Sequence, residues 1–254
     1  MVPYRNGNID RAFRRTAAVL TERGAAVVVL FGPEHGYHGA EQAGVPVAGG
    51  ERAAATGTPI HSLYSVHDGD AHVFDPPAGS LDGLDALVFD VQDVGARYYT
   101  YPTTLGILME RAPLPIVVID RPNPIGGALV EGPTLDPAFR SFVGRYPVPV
   151  RHGLTLGELA TLINDRFLDG HADLTVVPME GWRRGILFDA TALRLYPEPF
   201  TWLPAHFDCL TGSDGPRRLL TESGGDAAAL PSLFARWERD EGAFRSLRRA
   251  FLRY

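Results

Sequence analysis

The chain has 254 residues, with 24 basic and 30 acidic side chains, and every one of the bases is arginine. With no lysine, Schiff-base chemistry, the phosphate-clamping lysine of P-loop enzymes and lysine general bases are all excluded. A net charge of −6 leaves no basic footprint for nucleic acid or an anionic membrane, so a small molecule or glycan is the better partner.

In chain order, Ile9 to Arg23 has helical period, with Asn8 as N-cap, Gly24 as its stop and Phe13, Ala17 and Leu20 on one buried face. Ala26 to Phe31 reads as a strand. Further strands come at Ala86 to Asp90, Pro115 to Asp120 and Leu174 to Pro178, each a short apolar run bounded by Gly, Pro or acid. Tyr101 to Ala112 reads as a helix. Thr155 and Glu158 have capping-box spacing, which starts another helix that runs from about Leu156 to Leu168. Ala228 to Tyr254 is helical, with Leu230, Leu233, Phe234, Trp237, Phe244, Leu247 and Phe251 as its apolar stripe. Strands alternating with helices predict an α/β fold with a mostly parallel sheet. The pattern shifts after Tyr146-Pro147-Val148-Pro149, which places a boundary near residue 150, between a domain of residues 1–150 and one of 151–254.

No apolar run approaches the length of a membrane span, and Met1 to Asn6 lacks the apolar region of a signal peptide, which predicts a cytoplasmic chain. Cys209 stands alone, so it forms neither an intramolecular disulfide nor part of a cysteine zinc cluster, and it reads as a small buried hydrophobe.

Ligands of open parallel sheets bind beyond the carboxyl ends of the strands. Here those ends run into Gly32-Pro33-Glu34-His35-Gly36, Asp90-Val91-Gln92-Asp93-Val94-Gly95-Ala96-Arg97-Tyr98-Tyr99 and Asp120-Arg121-Pro122-Asn123. Proline and glycines fix the backbone around Glu34, which suits a carboxyl held in one orientation. Asp90 and Asp120 have two readings, as caps of the following turn or as functional groups. His35 and His38 divide in the same way between structural and catalytic roles. Tyr98 and Tyr99, beside Arg97, offer aromatic faces for a sugar ring, or pack under the next helix. Glu131, Arg151 and His152 complete the polar set, while Glu158 belongs mainly to its capping box. The spacing of His35, His38, Glu34, Glu41 and His152 matches no established metal motif, and no G-x-S-x-G signals a serine nucleophile.

Five of these segments, in order, resemble a known family: Phe31-Gly32-Pro33-Glu34-His35-Gly36, Asp90 through Tyr101, Asp120 through Gly127, Val130-Glu131-Gly132-Pro133 and Pro149 through Ala160. The family is the bacterial exo-β-N-acetylmuramidases, NamZ, also known as DUF1343. The resemblance implies a Rossmann-like catalytic domain with a smaller auxiliary α+β domain and an active cleft between them. It also implies a hydrolase of peptidoglycan fragments that releases N-acetylmuramic acid from non-reducing ends in cell wall recycling, with no cofactor. No G-x-G-x-x-G comes after the first strand, in keeping with that absence.

Glycoside hydrolysis needs a proton donor and usually a second carboxylate. Glu34, with His35 beside it, is the candidate acid, and Asp93 and Glu131 compete for the second role. Participation of the substrate's own acetamido group is a third route. Arg97, Arg121 and Arg151 are candidates for the lactyl carboxylate of muramic acid, since a guanidinium grips a carboxylate bidentately. Gln92, Tyr98, Tyr99, Asp120, Asn123 and His152 are expected to bind the sugar. Against the family pattern the chain reads as a shortened member, because Met1 to Asn8 stands where a glycine-rich strand is usual and a Ser-Pro-Asn-rich stretch after Asp189 is missing. Two hypotheses result: a working glycosidase, or a weakly active or non-catalytic sugar-binding relative.

Overall fold

The computed structural model describes residues 14–54, 56–67, 70–73, 75–184, 212–215, 218, 222 and 230–254. Its elements, in chain order, are α1 (Thr16–Glu22), β1 (Leu30–Gly32), β2 (Glu51–Arg52), β3 (Pro59–Ser62), β4 (Ser65–His67), β5 (Asp70–Val73) and β6 (Leu87–Phe89). Next come α2 (Tyr101–Arg111), β7 (Ile116–Ile119), β8 (Glu131–Thr134), β9 (Pro149–Arg151), α3 (Leu156–Arg166), β10 (Leu174–Val177) and α4 (Leu230–Arg248).

The chain divides into two compact units, residues 1–92, 104–120 and 168–177 in the first and 93–103, 121–167 and 178–254 in the second. Strand β8 pairs with β9 across residue 150, Glu131 opposite Arg151 and Thr134 opposite Pro149, so residues 121–150 group with residues 151–167 in the second unit.

In the first unit, β6, β7 and β10 form a parallel sheet with β7 central, Leu87 and Leu174 both lying opposite Ile116. The β-branched run Ile116-Val117-Val118-Ile119 suits a pleated surface, and its alternate residues Ile116 and Val118 are almost fully buried. A second sheet sets β1 parallel to β3, Leu30 opposite Ile60, with β2 antiparallel on the far side. The fold is α/β, as the sequence predicts, and among the described residues of this unit three of the five strand pairs are parallel.

Two expectations at the front of this unit need correction. The strand expected over Ala26 to Phe31 is paired only at Leu30–Gly32, and α1 begins at Thr16 with Ala17 and Leu20 half-buried. Both stretches border an apolar cavity of about 680 Å³ whose walls include Val27, Val29, Phe31, Leu87 and Phe89. Among the described residues no strand pairs with Ala26 to Val29, and Val28 and Val88 stay about half exposed. Asn8 to Phe13, Asp189 and the Tyr196 to Cys209 stretch lie outside the described residues.

In the second unit the core is built on α3, whose Leu156, Leu159, Ala160, Leu162 and Ile163 are all buried. The capping box is formed: Thr155 Oγ1 accepts from the Glu158 N–H at 3.2 Å and Glu158 Oε2 accepts from the Thr155 N–H at 3.0 Å. Tyr146 stacks on Phe167, with ring centroids 5.9 Å apart. Helix α4 packs across β8, burying Phe244, while Trp237 and Leu247 of the expected stripe are half-buried. The side chains of Leu230, Leu233 and Phe234 lie outside those described. Among the described residues no helix is long and apolar enough to cross a membrane.

Candidate active site

The predicted residues fall into two groups, one in each unit. In the first, Gly32 leads from β1 into a tight turn, and a Cβ on Gly32 would strike the backbone of Tyr37. The turn places the Glu34 carboxyl inside, 8% exposed, where its Oε1 accepts a hydrogen bond of 2.8 Å from the Gly44 N–H. Burial raises the pKa of the Tyr64 hydroxyl, and the Glu34 charge adds to that rise, so the phenol stands within the field of this carboxyl. His35 sits at φ 70°, a conformation disfavoured for a side-chain-bearing residue, and its Nδ1 lies 2.8 Å from the Glu41 carbonyl oxygen. His38 is exposed, 3.8 Å from Glu51. Asp120, at the end of β7, is buried and its N–H donates to the Val177 carbonyl, while Gln92 is half-buried.

The second group is continuous. Ala96 bridges to Arg151, and the Arg97 N–H donates to the Val150 carbonyl at 2.8 Å, so the loop of residues 93–99 lies along β9. Gly95, at φ 81°, has no room for a Cβ because the Asn123 amide fills that space. The same amide donates through Nδ2 to the Leu154 carbonyl at 2.9 Å and thereby ties the 121–127 loop to the turn after β9. Gly95→Ala is expected to destabilise the protein by about 2–3 kcal/mol, since it combines a positive φ with overpacking, as urea unfolding would measure. A loss below about 0.5 kcal/mol would mean the loops separate freely.

Arg97 is buried, and its Nη1 donates to the carbonyls of Pro133 at 2.9 Å and Val148 at 2.7 Å; burial lowers its pKa to about 10. It clamps the β8–β9 pair. Arg151 pairs with Glu131 across those strands and also donates to the Ile125 carbonyl. Glu131 is exposed and Arg121 half-buried. Of the tyrosines, Tyr98 is exposed and Tyr99 half-buried, edge-on to the fully buried Tyr101 at 4.9 Å, so Tyr98 is the ring open to a ligand and Tyr101 the packing residue.

Asp93 is buried and accepts the Gly95 N–H at 2.7 Å. Burial pushes its pKa up to about 7, against the lowering effect of its hydrogen bonds to Gly95 and Val94 N–H. The folded chain therefore holds a proton that the unfolded chain has released, and stability falls as pH rises from about 4 through 7. Between pH 5 and 8 the native protein is expected to lose about 3 kcal/mol more than Asp93→Asn, whose amide still accepts the Gly95 N–H. Parallel stability profiles for the two proteins in urea would refute this.

His152 is fully buried; its Nδ1 accepts the Leu154 N–H at 3.2 Å, which puts the ring proton on Nε2. Nε2 has no partner among the described residues. Burial and, after it, the charges of Arg248 and Arg97 lower the pKa of this imidazole to about 3, which keeps it neutral.

Sequence reasoning missed the support beneath this group. Besides capping α3, Glu158 accepts from the Arg253 N–H at 2.6 Å and pairs with Arg184. Arg184 also donates to the Gly153 carbonyl at 2.9 Å and to the backbone oxygen of Tyr254 at 2.8 Å. Gly153, at φ 60°, carried the available signal, because a Cβ there would meet Arg248 and the Leu129 carbonyl. Among the described residues no group of three His, Cys, Asp or Glu is placed to hold a metal.

The pairing of mainly parallel strands with carboxylates, arginines and tyrosines on the loops after β1, β6 and β7 defines a Rossmann-like α/β protein without the dinucleotide fingerprint. Residues 2–201 match the family model of exo-β-N-acetylmuramidase NamZ, N-terminal, and the chain belongs to that family. It is 48% identical over 171 residues to the peptidoglycan β-N-acetylmuramidase NamZ of Bacillus subtilis (strain 168), a match covering 66% of this chain. The chain spans only 39% of that relative's length. Two crystal structures of DUF1343 family proteins from Bacteroides fragilis NCTC 9343 share the fold. One is 32% identical with a TM-score of 0.63, covering 87% of this chain and 53% of its own. The other is 26% identical with a TM-score of 0.70, covering 93% and 88%.

Proposed function

We propose that the chain is a glycoside hydrolase that releases N-acetylmuramic acid from the non-reducing ends of peptidoglycan fragments, with Glu34 as the general acid. The observation that carries this reading is the loop after β1, which holds one carboxyl, largely buried, on a backbone N–H. A buried carboxyl in a fixed orientation is what protonation of a leaving oxygen requires. Glu131, held by Arg151 and open to solvent, or Asp93 supplies the second carboxylate. His35 flanks the acid, while Tyr98 offers a ring face to the sugar. Arg97 is buried, so the half-buried Arg121 and Arg151 are the better partners for the lactyl carboxylate.

Asp93 supports a second assignment of the acid. With its pKa pushed up to about 7 by burial, Asp93 keeps its proton in about half of the molecules at neutral pH, and a general acid must be protonated. Incubation with para-nitrophenyl N-acetylmuramide tests the overall reading: nitrophenol is expected. A rise in melting temperature with free N-acetylmuramic acid but no nitrophenol would instead indicate a sugar-binding relative. Release from other glycosides or amides, with the muramide left intact, would point to a different hydrolase.

A further inference from the structure

Helix α4 reaches the second group of site residues at three points. Glu241 Oε1 accepts the Gly132 N–H at 2.9 Å and Arg245 Nη2 donates to the Val130 carbonyl at 3.0 Å, so the helix grips the backbone on both sides of Glu131. One turn further on, Arg248 is 6% exposed, and its Nη1 donates to the carbonyls of Gly127 at 3.1 Å, His152 at 3.1 Å and Gly153 at 2.7 Å. Its Nη2 adds the Ala128 carbonyl at 3.3 Å. A single planar fork thus joins the loop carrying Asn123 to the turn carrying Arg151 and His152, two segments far apart in sequence. We infer that Arg248 is a positioning residue for this site: through these four carbonyls it sets the placement of Arg151 and the orientation of the His152 ring.

Three features support it. The Gly153 φ of 60°, with no space for a Cβ beside Arg248, means the turn is shaped to receive the guanidinium. His152 keeps an Nε2–H with no partner among the described residues, a buried donor whose direction depends on where the turn is held. Burial lowers the His152 pKa most, and the Arg248 charge adds to it ahead of Arg97, so Arg248 helps keep that ring neutral. Lysine, a point charge on a flexible stem, does not reproduce a fork across four carbonyls.

The consequence for catalysis rests on the glycosidase reading above; the positioning itself does not, and the test separates the two. Arg248→Lys and Arg248→Ala are made in the full chain and assayed with para-nitrophenyl N-acetylmuramide, while the His152 ring is followed by ¹⁵N NMR. In Arg248→Ala, kcat/KM is expected to fall at least about tenfold, with KM raised because Arg151 is misplaced, and added methylguanidinium is expected to restore much of it. The His152 signal should leave its native Nε2–H position in both variants and return in the alanine variant with methylguanidinium. Native kcat, native KM and an unmoved His152 signal in Arg248→Lys would overturn the inference, even where the alanine variant fails to fold. If the native chain releases no nitrophenol, the glycosidase reading fails, and the His152 signal alone decides the positioning.

Discussion

Glu34→Gln is expected to lower turnover of para-nitrophenyl N-acetylmuramide by at least about a hundredfold, the scale of lost general-acid catalysis. The substitution isolates the proton. Glutamine has nearly the same volume, and its amide oxygen can still accept the Gly44 N–H that Glu34 Oε1 accepts at 2.8 Å, so the turn after β1 should keep its shape. Melting temperature should therefore stay close to native while kcat collapses. A substrate with a good leaving group relies less on protonation, so the loss should be larger still on a natural glycan. Near-native turnover would remove Glu34 from the acid role, and Asp93→Asn would then be expected to carry the large loss. Modest losses in both variants would mean that neither carboxyl is the donor.

Glu158→Ala is expected to cost about 3–5 kcal/mol of stability, because it strips a fully buried carboxylate from Arg184 and leaves a largely buried guanidinium without its counter-charge. The same change removes the reciprocal half of the α3 capping box and the acceptor of the Arg253 N–H. Adding Arg184→Met should recover part of the loss, since removing both members of a buried pair is milder than removing one. Denaturant unfolding of the two variants measures this. A single variant within about 1 kcal/mol of native would show that water reaches the pair and screens it.

How much of the fold is legible in the sequence depends on the range of the interaction. The strands at β6, β7 and β10 and the helices α2 and α3 are legible because their signals are local: apolar runs closed by Asp or Pro, helical period, and a capping box whose two halves lie three residues apart. The strands β2 to β5, β8 and β9 are not, because they carry Gly, Pro or polar residues where a strand pattern would alternate. The run over Ala26 to Val29 has ideal strand composition yet forms no described strand, since pairing needs a neighbouring edge that composition does not report.

The candidate site divides along the same line. Glu34, Asp93 and His152 stand out because residue type and turn chemistry mark them. The roles of Arg97, Arg184 and Arg248 do not, because a guanidinium bonded to backbone carbonyls looks, in sequence, like any surface arginine. In a chain without lysine, where arginine supplies every basic side chain, type alone does not separate a buried clamp from a ligand contact. Burial and bonding direction make that distinction. On the proposed reading, the half-buried Arg121 and Arg151, rather than the buried Arg97, meet the substrate carboxylate.

The central claim is tested most directly on a defined peptidoglycan glycan that carries N-acetylmuramic acid at its non-reducing end, with products followed by mass spectrometry. The native chain is predicted to release free N-acetylmuramic acid and leave a glycan one sugar shorter, while Glu34→Gln releases almost none under the same conditions. No release by the native chain, or equal release by the variant, would contradict it.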